Sequence, residues 1–251
     1  MIFRFPPITQ LFMMTALLIM LSCEKKSNPK SDDPDKKDGV IKTYRKDGKL
    51  FSEITMKNGK RNGISKNFHP NEKLGMEINY IDDKRDGSFK QFYEDGTLSE
   101  ESTYKDDHMD GICKKYRKDG TLAWEARFSN DNPCSELTEY YLNGTKKTEY
   151  PSIVIKPIDQ LRENGDYDLQ ISLSDKSTIV TFYEGMLTPE GCFDPTKSFQ
   201  IYPQKNGVAT LHYHLMPGRF EMREIHLVAV VKTKQSNKYL TTRHYNLAIN
   251  N

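Results

Sequence analysis

The residue types best suited to chemistry lie late in the chain. His212 and His214 stand two apart in GVATLHYHL (207–215), so a strand there carries both imidazoles on one side, and His226 and His244 fall on two later apolar runs. Zinc binding would need these rings to converge with a carboxylate. A hydrolase would need His212, His214 and an acid within hydrogen-bonding reach, in a pocket. Spacing along the chain supplies neither, so the histidines read as scattered strand residues, and no metal site or cofactor is expected. The strings G-x-S-x-G, H-E-x-x-H and G-x-x-x-x-G-K-[ST] do not occur, and the acid pairs Glu100-Glu101 and Asp106-Asp107 read as solvated charge. No catalytic residue is identifiable, and the chain reads as non-enzymatic.

Beyond Cys23 the cysteines are Cys113, Cys134 and Cys192, an odd number without metal spacing, which accommodates one disulfide and one spare thiol. Cys113 and Cys134 are the candidate pair, with separate buried thiols as the alternative. A second constellation is the column Lys42, Lys66, Lys90, Lys114 beside Tyr44, Phe68, Phe92, Tyr116. A row of ammoniums flanked by aromatics suits an acidic protein segment, a sulfated or uronic glycan, or lipid head groups. The alternative is that each lysine stem covers apolar surface and carries its charge into water. The formal net charge is only +2, so no field favours nucleic acid and no such partner is expected.

These columns belong to a repeat. Gly39, Gly63, Gly87 and Gly111 recur every 24 residues, each preceded by Asp or Asn; Leu50, Leu74, Leu98, Leu122 and Glu53, Glu77, Glu101, Glu125, Glu149 keep the same period. A fifth, degraded unit from about Ser135 to Tyr150 has the character of a terminal cap. Alternation such as Leu122, Trp124, Ala126, Phe128, with KDG or EDG turns, makes each unit a β-hairpin. A two-residue turn at Asp47-Gly48 would set Tyr44 opposite Phe51 and Lys42 opposite Glu53. A three-residue turn with left-handed Gly48 would set Tyr44 opposite Leu50 and Val40 opposite Ile54, gathering the apolar columns on one face. The second register is preferred; it places the lysine column on the aromatic face and turns the Glu53 column away.

Units such as NGISKNFHPNEKLGMEINYIDDKRDG resemble the MORN-repeat variant of bacterial proteins described as YwqK-type antitoxins, with a unit close to G-x-x-K-x-Y-x-x-x-G-x-L-x-x-E-x-x-Y. The resemblance spans Gly39 to Tyr150. It implies an elongated sheet of successive hairpins used for protein contact or membrane association. Glu72 in place of the turn glycine and Ser135 in place of the leading glycine depart from the pattern.

At the N-terminus, Arg4 precedes the apolar LFMMTALLIML (11–21), which is too short to span a bilayer, and Ser22-Cys23 follows. IMLSCEKK resembles a bacterial lipoprotein signal, which implies lipid attachment at Cys23 and membrane anchoring without a span; ordinary secretion with nearby cleavage is the alternative. EKKSNPKSDDPDKKD then reads as a flexible spacer. Glu24 after the cysteine points by resemblance to the outer membrane or cell surface rather than inner-membrane retention.

After Pro151 the period ends. Runs at 152–156, 167–173, 177–183, 207–215, 225–233 and 239–249 are β-branched or alternating and bounded by turn residues, which suits an immunoglobulin-like β-sandwich. The expected organisation is therefore all-β: a signal peptide (1–22), a tether (23–38), five hairpin repeats (39–150) and a sandwich (151–251). The function expected of it is an envelope protein-binding or scaffold module, antitoxin- or immunity-like. Envelope polysaccharide binding is the second reading, and a hydrolase in the C-terminal region the third.

Overall fold

The computed structural model describes residues 38–251; the expected signal peptide, Cys23 and the expected tether as far as residue 37 lie outside them. The repeat region forms β1 (Gly39–Tyr44), β2 (Leu50–Lys57), β3 (Lys60–Arg61), β4 (Gly63–Phe68), β5 (Leu74–Ile81), β6 (Lys84–Phe92), β7 (Leu98–Lys105), β8 (His108–Met109), β9 (Gly111–Tyr116), β10 (Leu122–Ser129), β11 (Asn132–Pro133) and β12 (Thr138–Glu139). They build one sheet of consecutive antiparallel pairs, β1-β2-β4-β5-β6-β7-β9-β10-β11.

Each 24-residue unit holds two kinds of turn. The first is the expected three-residue loop, in which the Arg45 amide donates to Lys49 O at 2.8 Å and Gly48 takes φ +85°. The Asp at its second position accepts the amide two residues on, as in Lys49 to Asp47 (3.1 Å), Thr97 to Asp95 (2.8 Å) and Thr121 to Asp119 (2.9 Å). Glu72 keeps the same loop at φ +65° despite its side chain. The second turn links units through two residues with positive φ, Asn58-Gly59, Asp82-Asp83, Asp106-Asp107 and Asn130-Asp131.

The hairpin register combines the two alternatives. Tyr44 pairs with Leu50, as the three-residue loop requires, but the ladder slips by one residue at Phe51, and beyond this bulge Thr43 pairs with Ser52, Lys42 with Glu53 and Val40 with Thr55. The same slip recurs at Asn67/Phe68 and Gln91/Phe92. The expected register is thus correct at the turn and wrong beyond it. Because one inserted residue inverts the alternation, Ile41, Ile54 and Ile78 lie on the opposite face from Tyr44, and the glutamate column shares a face with the lysines.

The C-terminal region contains β13 (Ile153–Gln160), α1 (Leu161–Asn164), β14 (Asp166–Leu173), β15 (Val180–Glu184), β16 (Phe199–Gln200), β17 (Gln204–Lys205), β18 (Val208–His214), β19 (Phe220–Lys232) and β20 (Lys238–Asn250). Two four-stranded sheets, β13-β14-β18-β17 and β16-β15-β19-β20, pack through Leu169, Ile171 and Ala209 on one side and Phe182, Ile225, Leu227 and Leu247 on the other. Named in chain order, these are A-B-E-D and C′-C-F-G, an immunoglobulin-type arrangement. A second small core, Phe193, Val228 and Leu240, lies between the outer face of β19-β20 and the β15-to-β16 connection.

Candidate functional site

The repeat sheet brings its charged columns into one row. Successive Cα pairings run Lys42 to Glu53, Glu53 to Lys66, Lys66 to Glu77, Glu77 to Lys90, Lys90 to Glu101, Glu101 to Lys114 and Lys114 to Glu125. Lys42 Nζ lies 2.9 Å from Glu53 Oε1, Lys66 is 3.6 Å from Glu77, and Lys114 is 3.7 Å from Glu101. The candidate lysines therefore do not form a line of unopposed ammoniums: each stands beside one or two carboxylates, and the row is close to neutral.

The aromatic column flanks this row on the same face. Tyr116 donates to Glu101 Oε1 at 2.7 Å and Tyr140 to Glu125 at 3.3 Å. Burial, then the Glu101 hydrogen bond, pushes the Tyr116 phenol up to about 12, so it stays a donor. By strand alternation, Val40, Ile64 and Ile112 occupy the other flank; they are 41%, 48% and 55% exposed. One face thus presents a ladder of alternating lysines and glutamates between an aromatic row, with Phe68 and Phe92 between Tyr44 and Tyr116, and a mixed flank in which Val40, Ile64 and Ile112 alternate with Thr55, Asn79, Ser88 and Thr103. The other face is more closed, with Ser52, Ser65, Ile78, Ser102, Cys113 and Ala126 buried.

Both rims lock the units together. The Arg61 amide and Nε donate to Asp83 Oδ1 at 2.9 and 3.2 Å, Arg85 repeats this on Asp107, and each guanidinium lies 4.2 Å over a tyrosine ring, Tyr80 or Tyr104. The backbone bond from Arg61 holds the Asp83 carboxyl below its usual range. On the other rim Arg45, His69, Tyr93 and Arg117 reach the main-chain carbonyls of Phe68, Phe92, Tyr116 and Tyr140 at 2.5 to 2.9 Å, one bond per unit from four positions 24 apart.

The disulfide joins Cys134 to Cys192 rather than to Cys113, which is a buried free thiol. Cys113 lies inside the sheet opposite Ala126, whereas Cys134, at the end of the repeat ladder with its amide on Arg127 O, also forms a short bridge with the β15-to-β16 connection, where Phe193 N donates to Pro133 O and Ser135 N to Gly191 O, both at 2.9 Å. Burial pushes the Cys113 thiol up to about 12. A second link to the sandwich runs through Glu139, 1% exposed, which accepts bonds from Thr233 Oγ1 (2.5 Å), Lys147 Nζ (2.9 Å) and Asn237 Nδ2 (2.9 Å), and Tyr150 stacks on Tyr239 at 4.4 Å. Burial raises the Glu139 pKa, but these three donors outweigh it and hold the carboxyl below its usual value. No sequence pattern marked Glu139 or Cys192 as the junction.

His212 and His214 do lie on one side of β18. Each meets the aspartate opposite it on β14, His212 Nδ1 at 2.7 Å from Asp168 and His214 Nδ1 at 2.7 Å from Asp166. The acid proximity required of a hydrolase is therefore present, but all four side chains lie on the outer surface, and clefts of about 350, 610 and 220 Å³ are lined by other residues. His226 and His244 pair directly across β19 and β20, with Glu224 two residues away.

The description "MORN repeat variant" matches at residues 37–58 and 85–106, the first and third units. The second and fourth carry the same Gly, Lys, Leu and Glu columns and the same pairing. No curated protein matches the chain.

Proposed function

We propose that this protein is a non-enzymatic, lipid-anchored envelope module that binds another protein through the ladder face of its repeat sheet. The observation that carries the reading is the composition of that face: paired charges and the aromatic row continue across the hairpins, and exposed Val40, Ile64 and Ile112 stand among polar neighbours on the other flank. Apolar surface with interleaved charges of both signs suits a folded protein surface, where each charge can meet its complement. A polyanionic glycan fits it less well, because every lysine already has a glutamate neighbour and net attraction is small. Attachment through Cys23 would hold this face near the membrane, and an immunity or antitoxin role is one form that protein binding would take.

The test is crosslinking in native envelopes, comparing the full chain with Ile64→Asp/Ile112→Asp, each first shown to melt cooperatively. A specific protein recovered by the first and lost by the second supports the reading; recovery unchanged by the variant sinks this choice of face. Retention of a folded polysaccharide-bound fraction that disappears with Phe92→Ala would favour the glycan alternative. Separately, Cys23→Ser should release the protein from membranes; undiminished membrane attachment would overturn the lipid anchor.

A further inference from the structure

The outer surface of β19 and β20 carries two imidazoles and a carboxylate that converge. Alternation along β19 puts Glu224 and His226 on the same side, and the β19–β20 register sets His244 directly opposite His226. His226 Nε2 is 3.7 Å and His244 Nε2 is 3.8 Å from the same oxygen, Glu224 Oε2, and the two rings stack at 4.9 Å between centroids. One donor atom from each residue lies within 4.8 Å of the other two. Donors about 2.0–2.2 Å from a tetrahedral zinc ion lie about 3.3–3.6 Å apart. The two nitrogen–oxygen distances exceed this by a few tenths of an ångström and all three atoms lie within 4.8 Å of one another, a separation that rotation of the exposed Glu224 and His244 side chains about half-buried His226 can close.

We propose that Glu224, His226 and His244 form a binding site for a divalent transition-metal ion, with Zn²⁺ as the natural occupant class for two imidazoles and one carboxylate. Two nitrogen donors disfavour Mg²⁺ and Ca²⁺, which select all-oxygen sets. Both histidines come from long strands of the sandwich, so their backbones are fixed by thirteen cross-strand pairings before any metal arrives. The three ligands leave a position open. The ligands themselves line clefts of about 350 and 220 Å³ beside Met186 and Leu187, Glu224 and His226 the first and His226 and His244 the second. Glu184 and Lys197, which also line the larger cleft, are engaged with Arg223 and Asp194 respectively. The site is exposed and three-coordinate from the protein, so its ion exchanges with solvent and its fourth ligand is water or an exogenous donor, in contrast with a closed structural centre.

The test is equilibrium dialysis and calorimetric titration of the tag-free full chain with Zn²⁺ alone, alongside His244→Asn, Glu224→Gln and, as the comparison, His212→Asn/His214→Asn. The expected result is one saturable equivalent in the parent and the comparison variant, and affinity at least tenfold weaker in His244→Asn and Glu224→Gln. Circular dichroism establishes that each variant is folded; if His244→Asn does not fold, Glu224→Gln decides. Absence of saturable binding, or loss confined to the His212/His214 variant, overturns the proposal. Co²⁺ substitution gives a second readout: visible absorption of a nitrogen-ligated ion that vanishes in His244→Asn supports it, and absorption unchanged by that substitution overturns it.

Discussion

Gly87 lies beneath Asn79 of the neighbouring strand, where a Cβ would sit 2.9 Å from the Asn79 side-chain nitrogen that donates to Asp86 O. Its φ is +105°, and the equivalent Gly63 and Gly111 sit at +106° and +116° beneath Thr55 and Thr103. The period-24 glycine is therefore required twice, by backbone conformation and by the cross-strand cap that occupies its missing side chain. Gly87→Ala should cost about 2–4 kcal/mol in chemical denaturation, combining strain with a displaced cap. Gly120→Ala, with φ +81° and nothing within 4 Å, should cost only about 1 kcal/mol. Equal losses would remove the cap from the explanation.

The Cys134–Cys192 bond closes a 58-residue separation and ties the last repeat to the sandwich. Reduction, or Cys134→Ala/Cys192→Ala, should lower stability by about 2–4 kcal/mol. Mass spectrometry of iodoacetamide-treated native protein should leave the Cys113 peptide unmodified at neutral pH, because its thiol is buried and pushed up to about 12, and should modify it after denaturation. Labelling of Cys113 before unfolding would contradict its burial.

Much of this architecture is legible in the chain because duplication repeats the same physical solution. The 24-residue columns give the hairpins, the turn glycine gives the three-residue loop, and all six apolar runs after Pro151 become strands. Phe51 is where legibility ends in the repeats. A one-residue bulge leaves no signature of its own, since Phe51 between Leu50 and Ser52 fits an alternating strand as well as a bulged one, yet it decides which face Glu53 shares. The linking turns were equally hidden, since Asp82-Asp83 and Asp106-Asp107 adopt positive φ without glycine. Glu224 is illegible for a different reason: the apolar run begins at Ile225, whereas the strand begins at Phe220 and includes the polar residues before it. Cys192 could be matched to Cys134 only once the two regions were packed together.

The charged ladder makes Lys90 a sensitive position, since it is paired across the strands with Glu77 on one side and Glu101 on the other. Lys90→Met should change stability by less than about 0.5 kcal/mol, as exposed pairs contribute little. Lys90→Glu should cost roughly 1 kcal/mol, because it aligns three carboxylates across adjacent strands. Raising the salt to about 1 M, where the screening length falls to about 3 Å, should remove most of that difference. A salt-independent loss would instead indicate a packing defect.

Glu139 couples the array to the sandwich through a titratable group. Its folded pKa lies below the ordinary value of 4.5, so its contribution to stability is fully present above that value and is lost as pH falls through the lower folded value. Stability followed by thermal melting should therefore decline below about pH 4.5 partly through this carboxyl. Glu139→Gln should flatten that part of the profile, while Glu139→Ala should cost about 2–4 kcal/mol at neutral pH, because Lys147, Thr233 and Asn237 lose their common acceptor. If Glu139→Gln left the acid limb unchanged, protonation of Glu139 would not be what loosens the junction, and the aspartates of the linking turns, Asp83 and Asp107, whose carboxyls are also held below their usual range by bonds from Arg61 and Arg85, would be the next groups to substitute.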